Sequence, residues 1–206
     1  MITLKQMQVL ERAAHKKGIF TKDLMQNAGK EVAKIIEQKF TLENSHVVLF
    51  ANTGNNTGDG FACIKHLFEK APAVILLFGK EENMGEETLE NYNQIKETIP
   101  IIKINTKEDL DKFQFQDVNL IFIDALLGTG ITGDLKDNIK LAINFFNEKQ
   151  AQKIAIDIPS GLNPTTGEIK DKMCNVELIV ALHDIKEGAV KFQDKTTIVD
   201  IGLNNL

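Results

Sequence analysis

The chain contains a nine-residue segment in which nearly every side chain is small, polar or absent. It reads Asn-Thr-Gly-Asn-Asn-Thr-Gly-Asp-Gly over residues 52–60 and follows the apolar run 47–50. Glycines let main-chain N–H groups approach a bound group closely, and Asn55, Asn56 and Asp59 add oxygens that can hold a cation or orient a polar ligand. A strand, such a loop and then a helix describe a ligand cradle at the carboxyl edge of a parallel sheet. Taken alone, the segment is also compatible with an ordinary polar turn.

Three further polar, glycine-bearing segments follow apolar runs, at residues 124–134, 157–163 and 184–188. Because the carboxyl ends of parallel strands meet at one edge of the sheet, we expect Asp124 and Asp157 to lie in one crevice. Either residue by itself could simply cap its own turn. Two neighbouring carboxylates disfavour each other's ionisation, so one gains a raised pKa or a cation lies between them. The surrounding amide and carbonyl oxygens suit a group I or II cation better than zinc.

These segments are positioned by a regular alternation of short apolar runs and helical stretches. The apolar runs occupy residues 47–50, 73–78, 99–104, 120–123, 154–158, 176–182 and 197–201. Helical spacing of apolar residues marks 4–14, 24–36, 59–69, 86–96 and 135–148, with Thr21 expected as the N-cap of the second helix. Fully apolar runs alternating with helices predict an α/β fold whose mostly parallel sheet is covered on both faces. A short glycine-containing link joins the last two runs, which allows an antiparallel strand at that edge.

Length and composition limit the classes of protein that the chain can represent. The 206 residues carry a net charge of -5 and show no internal repeat or linker, so we expect one domain over residues 1–206. Arg12 is the only arginine, which argues against a nucleic-acid-binding protein. Cys63 and Cys174 sit in no metal-ligand spacing and are expected to be reduced. The sequence has no secretory signal core and no apolar run of the roughly 18 residues that a membrane span needs, so a cytoplasmic location without membrane association is expected.

The familiar nucleotide and nucleophile motifs are absent from the sequence. The glycines at 54, 58 and 60 do not fit the dinucleotide pattern G-x-G-x-x-G, and no Walker A lysine follows them. Ser160 lacks the G-x-S-x-G elbow of a serine nucleophile. A hydride-transferring dehydrogenase, a nucleotide hydrolase and a serine hydrolase are therefore disfavoured.

Six short stretches, taken together and in order, resemble the NAD(P)HX epimerase family (NAD(P)H-hydrate epimerase, the YjeF-type N-terminal domain). They are LMQNAG at 24–29, GNNTGDG at 54–60, DALLGTGITG at 124–133, DIPSGLN at 157–163, KEG at 186–188 and DIGL at 200–203. The resemblance implies a Rossmann-like three-layer sandwich, commonly a homodimer, that interconverts the R and S forms of hydrated NADH and NADPH. A dehydratase then repairs the S form, and because this chain ends at Leu206 we expect that partner to be a separate protein.

The resemblance also assigns roles to residues of this chain. Asn56, Asp124 and Ser160 would bind a potassium ion, with Ser160 using its carbonyl. The substrate would contact three groups of residues: Asn55, Asn56, Thr57, Gly58 and Asp59; Gly128, Thr129, Gly130, Ile131, Thr132, Gly133 and Asp134; and Asp157. The backbone amides of residues 128–130 suit a pyrophosphate. Our hypothesis for the chemistry is that Asp157, aided by Lys186, protonates the ring hydroxyl, which leaves as water.

Several residues depart from the family pattern. Thr57 and Asn52 stand where glycine is usual, and Gln26 replaces an acidic residue. Ile179 and Ala181 replace threonines in the strand before Lys186. Thr57 is bulkier than glycine, so it either narrows the cradle or adds a hydroxyl contact.

Two other functions remain compatible with the sequence. One is a non-catalytic module of the same fold that uses its surface for protein contacts. The other is an enzyme that acts on a different nucleotide-like metabolite in the same cradle, since a fold can host several activities.

Overall fold

The computed structural model describes residues 1–113, 119–130, 133–169 and 171–204. The helices are α1 (Leu4–Lys16), α2 (Thr21–Lys39), α3 (Asn55–Phe68), α4 (Glu86–Ile95), α5 (Lys107–Asp111) and α6 (Asp137–Glu148). The strands are β1 (Ser45–Ala51), β2 (Ala73–Leu77), β3 (Ile101–Lys103), β4 (Asn119–Ala125), β5 (Gln152–Ile156), β6 (Leu178–Leu182) and β7 (Thr196–Val199). Short 3₁₀ segments lie at Glu81–Asn83 and Glu187–Lys195.

The strands form one sheet in the order β3-β2-β1-β4-β5-β6-β7. Every pair of neighbours among these described strands is parallel, including β6 and β7. The expectation that β7 is antiparallel to β6 is therefore wrong. The 3₁₀ segment Glu187–Lys195 returns the chain to the amino end of β6 before β7 begins. Strand order reverses direction between β1 and β4, and an open parallel sheet places its ligand crevice at such a point.

Side chains alternate between the two faces of the sheet and give each face its own core. Val47, Leu49 and Ala51 of β1 belong to the cluster that includes the apolar sides of α2, α3 and α4. Val48 and Phe50 belong to the opposite cluster, which includes α6. Helices on both faces make a three-layer α/β sandwich of the Rossmann-like kind, and the predicted fold class is confirmed. Among the described helices, none combines the length and apolarity that a membrane crossing requires.

Three helix boundaries differ from the sequence-based expectations. Helix α3 begins at Asn55, four positions before the predicted start, so six of the nine residues of the Asn-rich segment are helix rather than loop. Phe20, not Thr21, is the N-cap of α2, and its N–H donates to the Asp23 carboxylate at 2.9 Å. Helix α6 begins at Asp137, and the five-residue α5 was not predicted. The first difference matters most, because it places the amino end of a long helix at the crevice.

Candidate functional site

A cavity of about 550 Å³ lies at the carboxyl edge of the sheet, beside the ends of β1 and β4. Most of the apolar lining comes from α1, α2 and the strand ends, and α1 also contributes Gln8 and Glu11. A polar wall comes from the start of α3 and the segments that follow β4, β5 and β6. The lining side chains used below are Glu11, Asn55, Asn56, Asp59, Gly128, Thr129, Gly130, Asp157 and Lys186.

The amino end of α3 opens onto this cavity. Its N-cap is Gly54, and both Gly54 and the first two helical residues line the wall. Thr57 and Gly58 donate their N–H groups to the Gly54 carbonyl, at 3.0 and 3.3 Å. In the described part of the chain, the N–H groups of Asn55 and Asn56 have no such acceptor. Free amides at a helix amino end, together with the helix dipole, favour an anion.

Asp124 and Ser160 form a fully buried polar pair beneath the cavity. The Asp124 carboxylate accepts from the Ser160 hydroxyl at 2.6 Å, from the Ser160 N–H at 2.7 Å and from the Leu126 N–H at 3.2 Å. Burial raises the pKa of the Asp124 carboxyl, and the hydrogen bonds from Ser160 and Leu126 oppose that rise. The Leu127 N–H in turn donates to the Ser160 hydroxyl at 2.9 Å.

Asn56 joins the same network through the backbone of Leu127. Its Nδ2 donates to the Leu127 carbonyl at 2.9 Å. Its Oδ1 is buried and has no hydrogen-bond partner among the described residues. The structure therefore brings Asn56, Asp124 and Ser160 together around one backbone turn, with Asn56 at the cavity wall and the other two behind it.

The donor set at this turn fits a potassium ion. It offers one carboxylate and neutral amide and carbonyl oxygens, which are hard ligands. The unpartnered Asn56 Oδ1 is an acceptor that lacks a donor, and the described residues place no basic side chain against Asp124. Nor do those residues contain three His, Cys, Asp or Glu side chains grouped for a metal ion. Ser160's carbonyl accepts one bond, from the Cys174 N–H at 2.9 Å, and keeps a second lone pair.

Thr57 connects the ends of the two strands that flank the crevice. Its hydroxyl donates to the Ala125 carbonyl at 2.7 Å and accepts from the Asn52 N–H at 2.8 Å. The residue is fully buried and lies under the cavity wall. Where the family resemblance leads us to expect glycine, this chain has a hydroxyl that ties β1 to β4. Thr57 adds a structural bond and does not narrow the cavity.

Asp157 and Lys186 form a buried ion pair in the polar wall. The Asp157 Oδ1 accepts from the Lys186 ammonium and from the Leu182 N–H, the latter at 3.0 Å. The ammonium also donates to the Leu182 carbonyl at 2.8 Å and to the Asp184 carbonyl at 3.4 Å. Lys186 is 1% exposed, although it lines the cavity. The two residues assigned to the chemistry from sequence are thus in contact, and both line the cavity.

Two neighbouring strands end in the same unusual turn. Asp157 follows β5 with φ 64°, and His183 follows β6 with φ 69°. In each turn the next N–H bonds back across two residues, Ile158 to Ile156 at 2.7 Å and Asp184 to Leu182 at 2.9 Å. Positive φ in a non-glycine residue is strained, and such strain tends to collect at functional sites.

Two more carboxyl groups face the ion pair. Asp59 belongs to α3 and Glu11 to α1, and both are partly buried in the cavity wall. Burial raises the pKa of Asp59 well above its usual range, and the charges of Asp157 and Glu11 add to the rise while Lys186 opposes it. Burial also raises the pKa of Glu11, with Lys186 opposing. Burial therefore favours the protonated form of both carboxyl groups.

The predicted substrate-contacting residues divide into four groups in the structure. Asn55, Asn56, Asp59, Gly128, Thr129, Gly130 and Asp157 line the cavity. Thr57 and Gly58 are buried behind its wall. Gly133 and Asp134 are exposed and do not line it. Ile131 and Thr132 lie outside the described residues.

Glu11 was not identified from sequence. It lies in an amphipathic helix with no motif around it, and nothing in the pattern distinguishes it from a surface glutamate. The structure brings α1 to the site partly because Ile2 forms a parallel bridge beside Lys186, with its N–H bonded to the Ile185 carbonyl at 2.8 Å. The apolar lining, which includes Leu4, Met7 and Leu24, was also missed.

Comparisons with known proteins agree on one family. Residues 21–188 match the family model described as YjeF-related protein N-terminus. The chain is 34% identical to the NAD(P)H-hydrate epimerase of Nitrosopumilus maritimus, covering 95% of this chain and 90% of that protein. It is 36% identical to the protein of the same name from Cenarchaeum symbiosum, covering 98% and 95%.

A longer relative and a solved structure extend the comparison. The bifunctional NAD(P)H-hydrate repair enzyme Nnr of Methanopyrus kandleri is 33% identical over 94% of this chain, which spans 39% of that protein. The crystal structure of yeast ynu0 superposes with a TM-score of 0.81 at 22% identity, covering 97% of this chain and 87% of that one. The latter similarity supports the fold.

Proposed function

The chain belongs to the family of YjeF-related protein N-termini, and on that premise we propose that it is an NAD(P)H-hydrate epimerase. In this role it is an isomerase that interconverts the R and S forms of hydrated NADH and NADPH during cofactor repair. The observation that carries the proposal is the cavity, in which an anion-binding edge and a buried charged pair face the same space. Relatives that cover nearly the whole chain bear the name of this activity.

The anion-binding edge suits the pyrophosphate of a dinucleotide. The amino end of α3 presents the N–H groups of Asn55 and Asn56 to the cavity. Across from it, Gly128, Thr129 and Gly130 line the wall, and in the described part of the chain their N–H groups donate to no protein acceptor. Backbone amides bind phosphate oxygens without a basic side chain, which suits a chain with one arginine.

The polar wall supplies the acid and base chemistry of epimerisation. Loss of the ring hydroxyl as water leaves a cation that is stabilised by the lone pair of the ring nitrogen, and water then adds to either face. The Asp157 carboxylate, oriented by Lys186 and the Leu182 N–H, stabilises that cation and accepts a proton from the incoming water. A potassium ion held by Asn56, Asp124 and the Ser160 carbonyl would neutralise the buried Asp124 charge and attract the phosphates.

Assembly and reaction sequence form part of the proposal. We place the enzyme in the cytoplasm as a homodimer, and the 55% exposed Val9 on α1 offers an apolar contact at the helix that borders the cavity. The S form is passed to a dehydratase. Relatives named bifunctional repair enzymes support this coupling of activities.

The test is a coupled assay with a mixture of NADHX epimers, a trace of dehydratase and potassium. The dehydratase consumes the S form quickly, so the remaining R form reports epimerisation. We expect the protein to abolish the slow phase, and an Asp157→Asn variant to restore it. Asn is chosen because it tolerates the positive φ at this position.

The assay also separates the two other functions that the sequence allows. A wild-type protein that leaves the R form to decay at the uncatalysed rate contradicts the proposed epimerase. Replacing potassium with tetramethylammonium, in wild type and in Asp124→Asn, tests the ion: the wild-type rate should fall and the variant should not respond.

A further inference from the structure

Among the described residues that line the cavity, carboxyl groups outnumber ammonium groups. Glu11, Asp59 and Asp157 come from three different elements and face one space that contains Lys186. Lys186 has three N–H donors, and its hydrogen bonds go to Asp157 and to the carbonyls of Leu182 and Asp184. Within the described residues, the carboxyl groups of Asp59 and Glu11 accept no hydrogen bond and form no ion pair. The cation is thus committed to Asp157.

The groups that surround Asp59 favour its neutral form. Asp157 in the turn after β5 and Glu11 on α1 are negative, and Lys186 after β6 is the opposing positive charge. On α3 itself the nearest titratable neighbour is Cys63, a buried thiol whose pKa is raised by burial and then by Asp59. Burial, the largest effect, raises the pKa of Asp59 as well. A buried carboxyl without a cation beside a carboxylate that is ion-paired to Lys186 is the usual arrangement of a general acid and a general base.

We propose that Asp59 is the general acid of this site, holding the proton that the leaving hydroxyl takes, while the ion-paired Asp157 acts as the base. The inference rests on the proposed epimerase activity and assigns the acid that the activity requires. It transfers the proton-donating role from Asp157, which our sequence-based hypothesis had given it, to a residue expected there only to contact substrate. Glu11 is a positioning residue that acts on Asp59 through its charge.

Proton transfer from Asp59 and addition of water to the ring together conserve atoms and electrons. The Asp59 carboxyl gives its proton to the ring hydroxyl, the C–O bond breaks with its electron pair going to oxygen, and water leaves. The lone pair of the ring nitrogen forms the C=N⁺ bond. A water molecule adds to the other face of that carbon and gives a proton to the Asp157 carboxylate. That proton returns to Asp59 through water in the cavity, so no oxidant, reductant or further reactant is needed.

The kinetic test compares Asp59→Asn, Asp59→Glu and a matched control, Asp111→Asn, which makes the same change at an exposed position on α5. After subtraction of the uncatalysed rate at each pH, we expect Asp59→Asn to lower kcat by about 10²-fold or more, with KM changed only a few-fold. Asp59→Glu should recover part of the rate, and Asp111→Asn should match wild type. An Asp59→Asn enzyme with the kcat of wild type overturns the assignment.

The pH profile gives a readout that a structural role cannot move. A general acid must be protonated, so the wild-type rate should fall as pH rises through the raised pKa of Asp59. Glu11 adds to that rise, so Glu11→Gln should shift the alkaline fall to lower pH. An unshifted profile contradicts the role of Glu11, and a profile without an alkaline fall contradicts that of Asp59.

A stability measurement tests the proton on Asp59 without any substrate. Because the pKa is raised in the folded state, the folded protein binds a proton that the unfolded chain has lost, and stability falls as pH rises through this interval. Asp59→Asn removes the cost of ionising this carboxyl in the folded state. The melting temperature of the variant should therefore exceed that of wild type at pH 8 and converge with it near pH 4. If wild type proves inactive, the proposed function fails while this arm still decides whether Asp59 holds a proton. Equal pH dependence in the two proteins overturns the inference.

Discussion

Replacing Thr57 with valine isolates the contribution of one buried hydroxyl. Valine has nearly the same shape, so the methyl contacts persist while both hydrogen bonds disappear. The Ala125 carbonyl loses a donor at 2.7 Å and the Asn52 N–H loses an acceptor at 2.8 Å. Both groups stand at strand ends on the two sides of the crevice, so the substitution tests how those ends are held together.

The loss of stability expected for Thr57→Val follows from the burial of the two backbone groups. A buried group left without its partner costs about 1–3 kcal/mol, and a partly buried one costs toward the lower end of that range. The bond to Ala125 is buried and the bond to Asn52 partly so. We therefore expect Thr57→Val to lower the free energy of unfolding by about 3 kcal/mol. For a chain of this length that is a fall in Tm of roughly 6–12 °C.

Urea denaturation followed by circular dichroism measures this difference directly. Thr57→Ser is the matched control, because it keeps the hydroxyl and loses one methyl group, for about 1 kcal/mol. Thr57→Gly, the residue that the family resemblance leads us to expect, should be less stable than both because it also frees the backbone of a helix. A Thr57→Val protein within about 0.5 kcal/mol of wild type would refute the reasoning, since a net hydrogen bond contributes at least that much.

Three further outcomes follow from buried groups described above. Lys186→Met should destabilise the fold by about 3–5 kcal/mol at neutral pH, because Asp157 is left as an uncompensated buried charge. Chemical denaturation measures this loss, and an unchanged denaturation midpoint would contradict the buried ion pair. Cys63 and Cys174 are both buried with pKa values raised by burial, so neither should react with a thiol reagent until the protein is unfolded; rapid labelling of the native state contradicts their placement. Gly161→Ala should prevent folding or cost more than about 3 kcal/mol, because its φ is 94° and the added carbon would stand 2.0 Å from a backbone oxygen; an expressed variant of native stability contradicts this.

The fold class could be predicted from the sequence because it depends on local patterns of apolar residues. Short, fully apolar runs such as 47–50 and 120–123 are typical of strands covered on both faces, and the fold class follows from their alternation with helices. The direction of β7 was misjudged because the 3₁₀ crossover that reverses the chain has no strong periodicity. The start of α3 was misjudged because Asn and Gly have low helix propensity, while the Gly54 carbonyl nevertheless bonds to the first turn.

The part of the candidate site that depends on residue type could be predicted from the sequence. Asn56, Asp124 and Ser160 gather as the strand order requires, and Lys186 reaches Asp157. The sequence could not show that Asp124 lies behind the wall, because depth depends on how the 124–130 turn packs. Nor could it identify Glu11, whose role depends on α1 crossing the mouth of the crevice.

The turn at Asp157 makes one side chain take the place of a main-chain group. The residue's N–H bonds to the Val180 carbonyl at 2.8 Å, and its carboxylate accepts the Leu182 N–H that a continuing strand's carbonyl would have taken. The last hydrogen bond between the ends of β5 and β6 is therefore accepted by a side chain that also lines the cavity. A variant of this chain without catalytic activity would still need an acceptor there, and an asparagine oxygen could serve. An oxygen-bearing side chain at this corner therefore stabilises the sheet independently of the activity.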